Sequence, residues 1–147
     1  GDRIGVVMRE PRLPTDLEPR LATLGAALAE VSGVVFAYVF GSAATGKLGP
    51  LSDVDLALYF EGRTDLVEAR LEAIQAAARH LGTDALDLVV LNEAPTSLLA
   101  RILPERRVIL DRVPFRRHLF ESLEGRKAAD FRLFERRFFA RRNQRGR

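Results

Sequence analysis

The stretch that decides the fold is VVFAYVFGSAATGKLGPLSDVDLALYF, residues 34–60. Its two ends, residues 34–40 and 54–60, are continuous apolar runs rich in β-branched and aromatic residues, which predicts two buried strands. The intervening residues 41–52 are rich in Gly, Ser, Thr and Pro and predict a shaped loop with at most one helical turn. Since this loop is too short for a helical crossover, we expect the strands to pair antiparallel.

Helical periodicity surrounds this hairpin on both sides. The first predicted helix has an apolar stripe at Leu17, Leu21, Leu24, Leu28 and Val31. Its expected N-cap is Thr15 or Asp16, and Gly33 is its expected end. The second predicted helix has its stripe at Val67, Leu71, Ile74, Ala78 and Leu81, and Gly82 is expected to end it. A short third helix contains Leu98, Leu99, Ile102 and Leu103 and is closed by Pro104.

The remaining elements complete an alternating pattern. Residues 86–91 (LDLVVL) predict a third strand, and residues 108–110 predict a short edge strand. A long helix is expected after Pro114, with Gly125 as a candidate break. Its apolar stripes are Phe115, Leu119 and Leu123, followed by Phe131, Phe134 and Phe138. The pattern predicts one α/β (α+β) domain over residues 1–147, with a short mixed sheet flanked by helices. Residues 1–14 would form an N-terminal arm.

Composition excludes several classes of protein. Hydrophobic residues make up 47% and charged residues 29% of the 147 positions, which is unlike a disordered chain. With no cysteine, a disulfide framework and a zinc–thiolate site are impossible. No apolar run approaches the roughly 20 residues of a membrane span, and residues 1–14 lack a signal-peptide core. We therefore expect a cytoplasmic protein.

The net charge of +3 is unevenly spread along the chain. Residues 112–147 hold 12 basic and 4 acidic residues, whereas residues 1–111 hold 11 basic and 16 acidic residues. A basic terminal segment can bind nucleic acid or an acidic partner. The apolar stripes in the same segment favour the solvated face of an amphipathic helix instead, so nucleic acid is not the expected partner.

Three carboxylates are the candidate catalytic and metal-binding residues. Asp53 and Asp55 stand two apart at the start of the second strand, so both side chains project from the same face. Two such charges repel by about 4 kcal/mol at an effective dielectric of 20, unless a cation lies between them. Asp87 interrupts the apolar third strand, where a charge is costly unless it is paired or metal-bound. If the strands are neighbours, the three acids form a two-metal site.

The loop before these acids suits phosphate. Gly41 lets the backbone turn sharply at the end of the first strand. Exposed amides at this turn, with the Ser42 hydroxyl, can hold phosphate oxygens. Lys47 either contacts a phosphate or is a solvated loop lysine. Mg²⁺ takes oxygen ligands and is commonly bound together with substrate phosphate.

Each acid also has a structural explanation when taken singly. Asp53 suits a turn, and Asp87 suits a salt-bridged strand position. A glycine–serine turn, then DxD opening the next strand, then an acid in a third strand, favour the functional interpretation together.

Two other motif matches are weak. GSAATGKL half-matches the phosphate loop GxxxxGK[ST], but Leu48 occupies the position that needs a hydroxyl, and Gly49-Pro50 would stop the helix that must follow. Arg112 and His118 fit an R-x(4–6)-H ribonuclease pattern, but one match is expected by chance in an arginine-rich chain. His118 is better explained as a residue on a helix surface.

The pattern GS-x-A-x-G-x(5)-SDxDL resembles the signature of the nucleotidyltransferase superfamily that includes DNA polymerase β. More narrowly, the chain resembles the minimal nucleotidyltransferases (MNT proteins), which are often encoded beside HEPN-domain partners as antitoxins. The likeness spans nearly the whole chain and includes DLVVLNEAP. The resemblance implies ATP and Mg²⁺ binding and nucleotide transfer with release of pyrophosphate. It matches Gly41 and Ser42 to the phosphate-binding turn, Asp53 and Asp55 to the metal-binding pair, and Asp87 to the third carboxylate.

The leading hypothesis is a Mg²⁺-dependent nucleotidyltransferase with two metal ions. Asp53 and Asp55 would bind both ions, and Asp87 would share one and act as general base. A single small domain favours an acceptor that brings its own binding surface. By resemblance, that acceptor is a tyrosine of a HEPN ribonuclease toxin, modified with AMP from ATP in a hetero-oligomer. The alternative is a non-catalytic antitoxin that neutralises its partner by binding alone.

Overall fold

Five α-helices and four β-strands make up residues 13–49 and 52–145, the part of the chain that this computed structural model describes, with side chains to residue 142. Residues 1–12 of the predicted N-terminal arm, together with Pro50 and Leu51, lie outside it. In chain order the elements are α1 (Leu17–Ala29), β1 (Val34–Phe40), α2 (Ser42–Thr45), β2 (Val54–Phe60), α3 (Leu66–Leu81), β3 (Leu86–Val90), α4 (Thr96–Ile102), β4 (Arg107–Asp111) and α5 (Pro114–Arg145). Two short 3₁₀ turns, Leu91–Glu93 and Leu103–Glu105, flank α4.

The sheet has the strand order β3-β2-β1-β4 and is mixed. Strands β1 and β2 pair antiparallel, as the short loop between them predicts. Strand β3 pairs parallel to β2, because α3 provides the crossover. Strand β4 pairs antiparallel to β1 and forms the other edge. The predicted bounds of β1 and β2 are confirmed, whereas the third strand ends at Val90 and Leu91 begins a 3₁₀ turn.

Each face of the sheet has its own hydrophobic core. Helices α1 and α3 cover one face, where Val54, Leu56 and Leu88 are buried. Helices α4 and α5 cover the other, where Phe36, Tyr38 and Ala57 are buried together with Leu99 and Ile102 of α4. Alternation along the strands sends successive side chains to opposite faces. The α4–α5 face is the one that matters for the site.

The apolar stripe of α1 and Asp16 as its N-cap residue are confirmed, but the helix ends earlier than predicted. Leu17, Leu21, Leu24 and Leu28 are all buried. The helix ends at Ala29, four residues before Gly33, and the Asp16 side chain accepts from Arg20 Nε (2.9 Å) instead of capping a backbone N–H. Gly25 is required within α1, because a Cβ there would overlap the Ile109 carbonyl group of β4.

The predicted buried face of α3 is correct only in the later part of the helix, where Leu81 is buried and Ile74 packs against the core. Val67 is 72% exposed and Leu71 52% exposed, while small residues face the sheet, namely Ala69, Ala73 and Ala77. Small side chains let the backbone of α3 lie close to α1 and to the sheet. The helix therefore adds little side-chain volume to the core. The predicted end at Gly82 was correct: this residue has φ +72° and caps the helix in the left-handed conformation.

Helix α5 runs without a break at Gly125, contrary to the prediction. Phe120 and Phe131 pack against the core, and Ala128 is buried, so contacts on both sides of Gly125 keep the helix continuous. The cost of a glycine inside a helix, about 1 kcal/mol, is small beside this packing. The predicted stripe of Phe115, Leu119 and Leu123 is exposed rather than buried.

A polar network on β1 anchors α5 to the sheet. The Tyr38 hydroxyl donates to Glu121 Oε2 (2.7 Å), and Arg106 Nε donates to the same oxygen (2.7 Å). Arg117 donates to Glu121 Oε1 (2.9 Å) and forms an ion pair with Asp111 (3.0 Å). Burial raises the pKa of Glu121, but bonds from Arg106 and Tyr38 and the two arginine charges outweigh it, so the pKa lies below its usual range.

Asn92 fixes the start of the connection from β3 to α4. Its side chain accepts from the Phe60 amide (2.9 Å) and donates to the Phe60 carbonyl (2.7 Å). Asn92 thereby pairs with the end of β2 as a further strand residue would.

Among the helices of the described residues, none is both long and apolar enough to cross a membrane.

Candidate active site

Strand register brings Asp55 and Asp87 side by side. In the parallel β2–β3 ladder, Asp55 is the partner of Asp87, while on its other side Asp55 pairs with Phe40, the last residue of β1. Asp53 comes two residues before Asp55, directly before β2 begins. Strand alternation puts Asp55 and Asp87 on the face of Ala57 and Val89, which pack under α4 and α5.

The two paired acids differ in exposure. The Asp87 side chain is 62% exposed, on the edge strand of the sheet. Asp55, on the second strand, is half-buried. One acid of the pair is therefore open to solvent and to a ligand, and the other is partly enclosed.

Gly41 makes room for the Asp55 carboxylate. Its backbone has φ +66° and ψ −143°, a conformation that only glycine adopts readily. A Cβ at this position would lie 2.6 Å from Asp55 Oδ2. The missing side chain of Gly41 therefore leaves room for this oxygen at the end of β1.

Helix α2 turns the chain directly after Gly41. The amides of Ala44 and Thr45 donate to the Gly41 carbonyl (3.1 and 3.2 Å), and the Lys47 amide donates to the Ser42 carbonyl (3.0 Å). Ser42 is half-buried at the first position of α2, whereas Lys47 is exposed on the loop. The phosphate contacts expected of Ser42 and Lys47 remain predictions.

Negative charge accumulates at Asp55. Burial raises the pKa of its carboxyl group, and the charges of Asp87 and Asp53 raise it further, while the positive charge of Arg101 opposes them. The net shift is upward. This carboxylate is therefore less stable as an anion than an ordinary aspartate, and a bound cation would relieve the repulsion.

Two arginines near the acids were not foreseen from the sequence. Arg101 on α4 acts electrostatically on Asp55. Arg70 on α3 reaches the edge of the sheet, where its Nε donates to the Leu88 carbonyl (2.8 Å) and its guanidinium lies 3.8 Å from Asp87. The sequence does contain a signal for Arg101, since it is a charged residue inside the otherwise apolar segment LLARIL, residues 98–103.

The acids suit a magnesium ion bound together with a ligand, rather than a complete protein cage. Within residues 13–49 and 52–145, no three histidine, cysteine or acidic side chains come close enough together to form a metal-binding group. Mg²⁺ is usually held by one or two carboxylates together with substrate phosphates and water. Paired hard oxygen donors, their mutual repulsion and the room that Gly41 leaves for Asp55 Oδ2 fit that mode of binding.

Both weak motifs have structural explanations. The segment after Gly46 is not helical, since α2 ends at Thr45 and Gly46 caps it with φ +73°, so GSAATGKL does not open a helix as a phosphate loop must. Arg112 donates to the carbonyls of Ala29 (3.2 Å) and Val34 (3.5 Å), and thereby ties α1 to β1. His118 lies on α5, 2.9 Å from Arg117.

Comparisons with known proteins agree with this architecture. The family model described as "Polymerase beta, Nucleotidyltransferase" matches residues 23–114, more than half of the chain. No curated protein matches the chain. Among solved structures, a toxin–antitoxin crystal structure with AMP-PNP is 22% identical, with a TM-score of 0.60, and the match covers 88% of this chain and 98% of that one.

A second solved structure has a similar degree of likeness. It is the complex of a tri-AMPylated Shewanella oneidensis HEPN toxin with an MNT antitoxin. The matched chain is 20% identical with a TM-score of 0.59, and the match covers 89% of this chain and 99% of that one. At this level of identity the two structures establish a shared fold.

Proposed function

Because the chain belongs to the polymerase beta nucleotidyltransferase family, we propose that it transfers AMP from ATP to a protein hydroxyl and acts as an antitoxin. The proposed acceptor is a tyrosine of a HEPN ribonuclease toxin, with both proteins in the cytoplasm. The observation that carries the proposal is the pairing of Asp55 with Asp87 beside Gly41. This pairing brings the Asp-x-Asp segment of β2 and the acid of β3 together at one end of the sheet.

The proposed reaction is an in-line displacement at the α-phosphorus of ATP. The acceptor hydroxyl oxygen forms a bond to that phosphorus, and its proton passes to an Asp87 carboxylate oxygen. The bond from the α-phosphorus to the oxygen bridging to the β-phosphate breaks, and pyrophosphate leaves with that electron pair. The exposure of Asp87 leaves room for an acceptor to approach this general base.

Magnesium would be held by Asp53, Asp55 and Asp87, and when bound it supplies neutralisation of charge on the triphosphate. Gly41 leaves room for the Asp55 carboxylate, because a Cβ there would lie 2.6 Å from Oδ2. The turn at Ser42, together with Lys47, would position the triphosphate. Arg101 adds a positive charge on the side of the α4 helix.

The identity of the acceptor rests on the two similar structures. One is described as containing AMP-PNP and the other as containing a tri-AMPylated HEPN toxin. A chain with the same fold and an intact Gly-Ser…Asp-x-Asp…Asp set is suited to the same chemistry.

A second candidate function is neutralisation by binding alone. The observation in its favour is that no group of three potential metal ligands is assembled among the described residues. In this case the acids would have a structural role only.

Labelled ATP separates the two functions. The chain is incubated with Mg²⁺, ATP labelled at the α-phosphate and the product of the neighbouring gene, which we expect to be the HEPN protein. We expect label on the HEPN protein with the wild type and none with Asp53→Asn/Asp55→Asn. Absence of label with both, while both still block the ribonuclease, would favour binding alone.

A further inference from the structure

Helix α5 packs with α4 over the face of the sheet on which Asp55 and Asp87 lie. Arg132 on α5 donates to the Ala100 carbonyl of α4 (3.1 Å). The next residue of α4, Arg101, acts electrostatically on Asp55. From residue 133 to residue 142, every side chain except Glu135 is exposed. We call residues 133–142 the arm.

The arm exposes large apolar side chains at helical spacing. Phe134 is 64% exposed and Phe138 is 53% exposed, and their rings stack on each other with centroids 6.3 Å apart. Phe139 packs edge-on against Phe138 at 5.8 Å, and Leu133 is exposed as well. Several large apolar side chains clustered on one exposed segment mark an interaction surface. Stacked residues at i and i+4 suit a helix that binds in a groove.

The charge of the arm selects the chemistry of its partner. Four arginines, namely Arg136, Arg137, Arg141 and Arg142, stand against one acid, Glu135, so the arm carries a net charge of +3. Two copies of the arm packed together would repel each other. An apolar groove with an acidic rim complements both the rings and the arginines. Because Phe134 and Phe138 stack on each other, their spacing favours a protein groove over separate stacking of nucleic acid bases.

We propose that the arm docks into an acidic-rimmed apolar groove of the protein that accepts the nucleotide, and that this contact delivers the acceptor hydroxyl to Asp55 and Asp87. The inference rests on the proposed function and adds the surface that recognises the acceptor. Docking beside α4 supplies the acceptor-binding surface for which the small domain otherwise has no separate module. It raises the effective concentration of the acceptor hydroxyl at the site.

The test uses the chain of residues 1–147 and the product of the neighbouring gene, which we expect to be the HEPN protein. The variant is Phe134→Ala/Phe138→Ala, which removes two exposed rings without opening a cavity in the core. The matched control is Phe115→Ala/Leu123→Ala, because these residues of the same helix are similarly exposed (71% and 53%) but lie outside the arm. Affinity is measured by titration calorimetry, and AMP transfer is measured with labelled ATP.

We expect the arm variant to bind the HEPN protein at least about tenfold more weakly, which corresponds to about 1.4 kcal/mol. Transfer should fall in parallel, while the rise in Tm on adding Mg²⁺ and ATP stays as in the wild type. The control should keep wild-type affinity. Affinity should also fall as salt rises, and Arg137→Glu/Arg141→Glu should weaken binding, since the groove rim is acidic.

Three results would overturn the inference. The first is unchanged affinity of the arm variant for the HEPN protein. The second is a wild-type dimer in sedimentation that the arm variant abolishes, which would assign the arm to a second copy. The third is loss of RNA binding in the arm variant with HEPN affinity intact. Failure of the proposed function is distinct from these results, because it appears as absent label in the wild type while the affinity measurement still reports docking.

Discussion

Oδ2 of Asp55 lies 2.6 Å from the point where a Cβ on Gly41 would stand. The end of β1 and the start of β2 therefore approach so closely that only a residue without a side chain fits between them. We expect Gly41→Ala to displace the Asp55 carboxylate and to abolish the rise in Tm caused by Mg²⁺ and ATP. The fold should lose about 1–3 kcal/mol as well, because φ is +66°.

Gly62→Ala is the matched control for this substitution. Gly62 has φ +72°, but no heavy atom lies within 4 Å of its ideal Cβ position. It should lose about 1–2 kcal/mol of stability and keep the full ligand response. An intact ligand response in Gly41→Ala would argue against the role given to this corner.

Replacing the paired acids should separate ligand binding from stability. A ligand present at about 100 times its Kd adds roughly 2.7 kcal/mol to the free energy of unfolding. We expect Mg²⁺ with ATP to raise the Tm of the wild type and to leave that of Asp53→Asn/Asp55→Asn unchanged. The unliganded variant should be at least as stable as the wild type, because the repulsion among the acids is relieved. Thermal unfolding with and without ligand measures both effects.

The pH dependence of the stability of the single variant Asp55→Asn has a definite sign. Burial and the neighbouring acids raise the pKa of Asp55 in the folded state, so ionising it destabilises the fold. The stability that the neutral carboxyl contributes is complete below the ordinary aspartate pKa of about 3.9 and is lost as pH rises through the raised value. The advantage of Asp55→Asn over the wild type should therefore be largest near pH 7 and shrink towards about pH 4. An advantage that grows towards acid pH would contradict this.

Arg101 should tune the protonation of Asp55. Its positive charge lowers the pKa of a carboxyl group that burial and two acids raise. We expect Arg101→Gln to move that pKa further upward, which ¹³C-detected NMR titration of the Asp55 carboxyl carbon measures directly. ATP and Mg²⁺ should also bind more weakly as pH falls in this variant. Arg79→Gln, an exposed residue of α3 on the opposite face of the sheet, is the control and should leave the titration unchanged.

Glu121 should be a main anchor of α5. Its carboxylate accepts hydrogen bonds from Tyr38, Arg106 and Arg117. We expect Glu121→Gln to reduce the free energy of unfolding by about 2 kcal/mol, since hydrogen bonds to a charged group are stronger than neutral ones. The pKa of Glu121 is lowered in the fold, so its contribution is present above the ordinary glutamate pKa of about 4.3 and is lost as pH falls through the lowered value.

Urea denaturation at several pH values measures this difference. Tyr38→Phe, which removes a single hydroxyl and leaves both arginine partners, should cost less than Glu121→Gln. A larger loss in Tyr38→Phe would indicate that the Tyr38 hydroxyl, rather than the arginine partners of the carboxylate, holds α5.

Substitutions on the two sides of α3 should differ in how much stability they cost. Ala73 is fully buried, so Ala73→Leu should overpack the contact and cost about 1–3 kcal/mol. Leu71 is 52% exposed, so Leu71→Ala should change stability by less than about 0.5 kcal/mol. Chemical denaturation of both variants measures this. A large loss of stability in Leu71→Ala would instead indicate that the face predicted from periodicity is the buried one.

The hairpin and the acids were predictable because local chemistry determines them. The apolar runs of β1 and β2 could only be buried strands, and the short loop between them required antiparallel pairing. Two residues of separation predict that Asp53 and Asp55 share a face. The pairing of Asp55 with Asp87 depended on which strand neighbours β2, which the crossover through α3 favours without dictating.

Other features depend on distant parts of the chain and could not be derived from periodicity. The alanine face of α3 is buried because the sheet and α1 lie close to it, although larger apolar residues stand on the same helix. The need for glycine at position 25 arises because the Ile109 carbonyl group, distant in the sequence, packs against α1 there. The charge of Arg101 acts on Asp55 only because α4 lies across the same face of the sheet.

The antiparallel pairing of β1 with β2 also has a kinetic consequence. Gly41 follows β1 and Asp55 lies on β2 of the same hairpin, so contact between them requires closure of a single short loop. Such local contacts form early in folding, since loop-closure entropy is small. The parallel addition of β3 and the arrival of α5 involve longer loops. We therefore expect the glycine corner to be assembled before the chain acquires the helix that covers its face of the sheet.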